Sequence, residues 1–136
     1  MIYEFEVPGK VIGKGRPRLN SYTGVVYTPT KTRDYEALVK QYFLLKYPRY
    51  KTLEGRIRVS IIVYFSIPKA TKKSDINEML NNNISPTKKP DIDNIVKVVL
   101  DSMNKFAFKD DNQITKIEVE KKYALEDKIY IKIEKY

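Results

Sequence analysis

Ile57, Val59, Ile61, Val63 and Phe65 place an apolar side chain at every second position, and no other segment constrains the fold as tightly. A period of two is that of a β-strand with one face buried. Ile62 and Tyr64 make part of the second face apolar as well, which predicts a strand in the middle of its sheet. Shorter alternating runs supply its neighbours. Ile2 to Val7 alternates and is ended by Pro8-Gly9. Val25 to Tyr27 is a short strand after a turn at Ser21 to Gly24. Thr115 to Tyr123 alternates again, and Ile129, Ile131 and Ile133 mark a last strand.

Two segments change to helical spacing. Tyr35, Leu38, Val39, Tyr42, Phe43 and Leu45 follow the first pattern, with Thr30 or Thr32 as cap, Asp34 and Glu36 in the first turn, and Pro48 as the stop. Ile92, Ile95, Val96, Val99 and Met103 give the second helix a core face, from a cap at Asp91 or Asp93 to about Asn104. Phe106 and Phe108 anchor the connection beyond it. The expected order is β-β-α-β-α-β-β. Residues 1–136 are expected to form one α+β domain, a mixed sheet of four to five strands with two main helices packed on it.

Missing residue types narrow the chemistry. The chain has neither histidine nor cysteine, which excludes a Ser-His-Asp triad, a Cys-His dyad, a disulfide framework and the usual zinc sites. Any metal should be a hard one held by oxygen. The net charge of +9 favours a polyanionic partner. Bases gather in two places. Lys10, Lys14, Arg16 and Arg18 lie in a Gly/Pro-containing stretch that reads as an exposed loop. Residues 66–90 hold Lys69, Lys72, Lys73, Lys88 and Lys89 in a segment expected to be mobile, apart from a turn or two of helix capped by Ser74. No apolar run approaches the roughly 20 residues that span a bilayer. No targeting segment is visible, so the cytoplasm is the expected compartment.

Asp91-x-Asp93 stands where a loop enters a helix, and Lys97 follows Asp93 by one turn on the same face. Asp110-Asp111 comes after that helix, just before a strand. Aspartates close in sequence joined by a distant one form an oxygen cage for Mg²⁺, and a nearby lysine can stabilise charge developing on a phosphate. The same residues also have ordinary uses: Asp-x-Asp caps helices, Asp-Asp occurs at turns, and Asp93 with Lys97 can be a surface pair. For the aspartates to meet, the glycine-free segment Asn104 to Lys109 must fold back. Asp101 reads as a solvated residue or as a partner of the site.

The stretch Pro90-Asp91-Ile92-Asp93-Asn94-Ile95-Val96-Lys97, continuing through Val98-Val99-Leu100-Asp101 and Asn104 to Phe108-Lys109-Asp110-Asp111-Asn112-Gln113-Ile114, resembles the RusA family of Holliday junction resolvases. Lys14-Gly15-Arg16-Pro17-Arg18, Tyr27-Thr28-Pro29 and Thr32-Arg33 resemble its Gram-positive and phage branch. The resemblance implies a small Mg²⁺-dependent homodimer, with Mn²⁺ able to substitute, that resolves four-way DNA by paired nicks in recombination and repair. It places the family's essential aspartates on Asp91, Asp93 and Asp111 and its catalytic lysine on Lys97, with Asp110 a lesser acid beside Asp111. Lys10, Lys14, Arg16, Arg18, Lys72, Lys73, Lys88 and Lys89 are then expected to grip DNA backbone away from the cut. The rival readings are a basic DNA-binding protein that does not cut, and a carboxylate-metal phosphatase or nuclease for other substrates.

Overall fold

The long alternating run becomes an inner strand of a four-stranded sheet. The computed structural model describes residues 1–136. In chain order they form β1 (Ile2–Pro8), β2 (Arg18–Leu19), β3 (Val26–Tyr27), α1 (Thr30–Lys46), β4 (Ile57–Ser66), α2 (Lys73–Leu80), α3 (Ile92–Met103), a 3₁₀ turn (Asp111–Gln113), β5 (Ile114–Ala124) and β6 (Lys128–Lys135). The sheet order is β1-β6-β4-β5, and β2 and β3 pair separately as a small antiparallel hairpin. β4 runs antiparallel to β6 and parallel to β5. A parallel neighbour needs a long crossover, and here the crossover carries α2 and α3. Ile61 stands opposite both Val119 and Ile131, which fixes the register at the sheet's middle.

One sheet face is the core. Tyr3, Phe5 and Val7 of β1, Ile57 to Phe65 at alternate positions of β4, and Ile129, Ile131 and Ile133 of β6 are buried there, on the side where α1 and α3 pack. The reverse face is not covered as the sequence suggested: Ile62 and Tyr64 are only half-buried. It is lined instead with polar pairs, including Arg58 with Glu134 at 2.9 Å and Lys128 with Glu6 at 2.9 Å. Tyr130 donates to Glu4 at 2.6 Å, and that bond raises the phenol to about 12. A strand can therefore be central in its sheet while having only one dry face.

The helix ends differ from expectation in instructive ways. Pro29, not a threonine, precedes α1, and no side chain caps it. Thr32 is buried, and its Oγ1 accepts the Gly15 N–H at 3.0 Å. Asp34 and Glu36 fall beyond the first turn. Leu45 is exposed, because the helix buries Tyr35, Val39 and Phe43 instead. In α3 the buried stripe is Ile95, Val98, Val99, Ser102 and Met103, so Val98 replaces Ile92, which is exposed. The segment 66–90 holds the full α2 helix, which starts after Lys72 without a cap from Ser74. Arg18–Leu19, read as loop, pairs with β3. No helix is long and apolar enough to cross a membrane.

Phe43 joins the helices to the sheet. Its ring lies 5.3 to 5.6 Å from those of Tyr3, Phe5, Tyr47, Tyr50 and Phe106. Most of these contacts are edge-on, the favoured geometry for aromatic pairs. Phe43→Ala should destabilise the fold by about 3–5 kcal/mol, as expected for a buried aromatic. Urea unfolding followed by circular dichroism measures it; a loss below about 1 kcal/mol would show that the surrounding rings collapse into the gap.

Candidate active site

The core stripe of α3 sets its rotation, and its rotation determines which residues face out. Asp93, Lys97 and Asp101 recur every fourth residue, forming one stripe with a rise of about 6 Å per step. Asp91 occupies the N-cap position, yet its side chain makes no capping hydrogen bond. Asp91 and Asp93 are exposed, and neither carboxylate is engaged in an ion pair. Negative charge at this end is favoured by the helix dipole. Lys97 is also exposed, with Nζ 3.6 Å from Asp101 Oδ2.

The chain does fold back after α3. Lys105 takes a left-handed conformation at φ 71°, and Phe106, Ala107 and Phe108 are all buried. The Leu53 N–H donates to the Ala107 carbonyl at 2.8 Å, tying the return to the segment that precedes β4. The two neighbouring acids then part company. Asp110 is a cap: its Oδ1 accepts the Asn112 N–H, and the Gln113 side chain accepts the Asp110 N–H. The Asn112 N–H, then contacts with Asp111 and Lys105, hold the Asp110 carboxyl below the usual carboxylate range. Asp111 is exposed and held above that range, first by its contact with Asp110, then by some loss of water and by repulsion from Asp110 and Asp101, against the pull of Lys97. Asp111 therefore sits within electrostatic reach of the Lys97–Asp101 part of the α3 stripe. No three acidic side chains are close enough together to form a ready-made cation cage.

Lys14 is not where a DNA-gripping loop residue should be. Its Nζ lies 2.8 Å from Glu36 Oε1 of α1 and 3.0 Å from Asp101 Oδ2 of α3, and these are the least exposed ion pairs in the molecule. Burial pulls its pKa down, but the bonds and charges of Glu36 and Asp101 outweigh that and hold it above the usual lysine value. Its backbone N–H donates to the Asn94 carbonyl at 3.0 Å. The flanking glycines allow this approach: a Cβ on Gly13 would stand 2.7 Å from Pro90 Cβ, and one on Gly15 would stand 3.0 Å from Pro29 Cγ and from Thr32 Oγ1. From Val11 to Gly15 the stretch that reads as an exposed basic loop is thus a strap held between α1 and α3, exposed at Lys10 and again from Arg16 onward. The sequence held one signal of this, glycines on both sides of a lysine.

Other expected DNA contacts remain outside. Arg16 and Arg18 are exposed, as are Lys72 and Lys73 at the start of α2. Lys10, Lys88 and Lys89 share the lining of one cavity of about 330 Å³ beside Pro90, the residue that leads into Asp91. Reasoning from sequence does not place Glu36 near the site, and it leaves open the part played by Asp101. That carboxylate oxygen is shared between the half-buried Lys14 and the exposed Lys97.

Residues 8–134 match the family described as Endodeoxyribonuclease RusA. The chain is also similar to Uncharacterized protein YqaN of Bacillus subtilis (strain 168), 31% identical over 137 residues, covering 96% of this chain and 94% of the relative. A match over nearly the whole chain means that this protein belongs to the RusA family of endodeoxyribonucleases.

Because Lys14 bridges two carboxylates in a partly dry setting, Lys14→Met should cost about 1–2 kcal/mol of stability, less than for a fully buried pair because some water remains. Chemical unfolding tests this beside a salt titration of DNA affinity. The strap reading expects stability to fall while the salt slope stays put. A slope reduced by about 1 with unchanged stability would make Lys14 a phosphate contact instead.

Proposed function

We propose that this chain is a divalent-metal-dependent endonuclease that acts as a homodimer to resolve four-way DNA junctions by paired nicks. The observation that carries the reading is the α3 stripe. Asp91 and Asp93 stand exposed and uncommitted at the helix start, Lys97 follows on the same side, and Asp111 is within electrostatic reach. Capping, the ordinary use of such aspartates, accounts for Asp110 but not for Asp91.

The donor set suits Mg²⁺ or Mn²⁺. Every candidate is a carboxylate oxygen, and Mg²⁺ is commonly held by one or two carboxylates with water and substrate phosphate completing its shell. A tight three-acid cage is therefore not required. Asp91, Asp93 and Asp111 would hold the ion, with Asp110 a lesser contributor because its oxygens already accept hydrogen bonds. When bound, the ion supplies positive charge at the scissile phosphate and makes water more acidic.

The remaining work falls to the chain's own residues. Lys97 offers an ammonium group to the negative charge that grows on the phosphate in the transition state. Asp101 keeps that ammonium on the α3 face, and Lys14 in turn keeps Asp101 in place. Lys10, Lys88 and Lys89 beside Pro90, with Arg16, Arg18, Lys72 and Lys73, bind the DNA backbone. A two-fold dimer would present two such sites to opposing strands of a junction.

The test compares a four-way junction, a flap, a duplex and a single strand with Mg²⁺. The junction should be nicked symmetrically and in preference to the others. Asp93→Asn should bind the junction but cut it at least about 100-fold more slowly. Lys97→Ala should lose about 10²- to 10³-fold in single-turnover rate with near-normal affinity. Intact DNA with either Mg²⁺ or Mn²⁺ would leave a binding protein that does not cut. Equal cutting of all four substrates would point to a nuclease without junction selectivity.

A further inference from the structure

The β2–β3 hairpin presents apolar side chains to water that the fold does not use. Tyr22 at its tip is 98% exposed, and Leu19, Val25, Val26 and Tyr27 are all exposed. Such a cluster on a small domain calls for an occupant. The tip is nonetheless firmly built. Asn20 Oδ1 accepts the N–H groups of Tyr22 at 2.9 Å and Thr23 at 3.2 Å. The Gly24 N–H donates to the Asn20 carbonyl, and the Asn20 N–H to the Val25 carbonyl, each at 2.8 Å. Thr23 Oγ1 accepts the Val25 N–H at 3.3 Å. Gly24 takes the left-handed φ of +71° that closes the turn. A ring held out on an ordered tip loses little further freedom on binding.

Charge identifies the occupant. Between Glu6 and Asp34 the chain has not one acid, and apart from Lys14, which is paired internally, its bases Lys10, Arg16, Arg18, Lys31 and Arg33 are all exposed. In a two-fold contact with a second copy, this same surface would meet itself, setting like charges against like. An acidic protein would satisfy the arginines but gives no particular use to a bare aromatic ring. A nucleic acid strand with an unpaired base offers phosphates and a π-face together. Within a duplex the bases already stack on one another, so the ring finds a partner only where pairing is broken, as at a branch point.

The hairpin is also well placed. Its root is the strap bonded through the Lys14 N–H to the Asn94 carbonyl, one residue from Asp93. The four residue steps from Lys14 to Arg18 can span at most about 14 Å. We propose that the β2–β3 hairpin is a branch-reading element, in which Tyr22 stacks on an unpaired base while Arg16 and Arg18 hold flanking phosphates. It rests on the reading of the chain as a nuclease of branched DNA.

The test uses the full-length protein and a four-way junction carrying 2-aminopurine at the branch point, in EDTA so that no strand is cut. Wild-type protein should change the probe's fluorescence. Tyr22→Ala should abolish that change and weaken junction binding about five- to 100-fold, with duplex affinity and melting temperature unchanged, while Tyr22→Phe behaves as wild type. Arg16→Ala and Arg18→Ala should each lower the salt slope by about 1 on junction and duplex alike. Junction binding and fluorescence unaffected by Tyr22→Ala would overturn the hairpin's role. So would sedimentation showing that Tyr22→Ala halves the protein's mass, since a second copy would then cover the ring. If the junction is bound and cut while Tyr22 is silent, the hairpin inference alone falls; if wild-type protein binds no DNA, both readings fall.

Discussion

The rotation of α3 is the constraint on which the rest depends. Ile95, Val98, Val99, Ser102 and Met103 must face the sheet, because water cannot be kept from them any other way. Once they do, Asp93, Lys97 and Asp101 can only face outward. A helix turned by one residue, about 100°, would move both sets at once. Burial and chemistry are thus two consequences of one angle. The interior determines which way the acids and the lysine face, and the ion pairs of Asp101 with Lys14 and Lys97 act only on top of that.

Much of this is legible in the sequence. The alternation of β4 points to its central place, and the two long helices and the strands around them emerge from period alone. The Asp93 to Lys97 spacing makes them neighbours on one side of a helix whatever the rest of the fold does. The illegible part depends on contacts between distant segments. Thr32 has the right chemistry for a cap, but its hydroxyl accepts a hydrogen bond from Gly15. Val98 and Ile92 exchange places because the exact facing of α3 depends on α1, which no local pattern encodes. The fold-back that brings Asp111 toward Lys97 relies on Lys105, a residue whose type gives no hint of a left-handed turn.

The N-terminal strap departs furthest from expectation. Glycine, proline and lysine in close succession read as a solvated loop, and for Arg16 and Pro17 that holds. For Gly13 to Gly15 the glycines mean close approach instead, and the lysine between them is enclosed by two carboxylates from different helices. Proximity in sequence to exposed arginines suggests DNA as the partner of that charge; its actual partners are internal. The same strap tethers the hairpin, so a segment of uniform composition divides into an anchored half and a projecting half.

The sheet's outer strand β5 pairs on only one side, with β4, along its full length. Its other backbone edge is a template onto which a foreign strand could add, the first step toward fibrous self-association. Lys116, Glu118, Glu120, Lys121 and Lys122 crowd that strand with charge. A docked strand would have to desolvate those charges or match them one by one. Whatever resists such self-association therefore lies in the side chains of one edge, and that edge is tied to the segment leading into Asp91, where Lys121 Nζ donates to the Lys88 carbonyl at 2.7 Å.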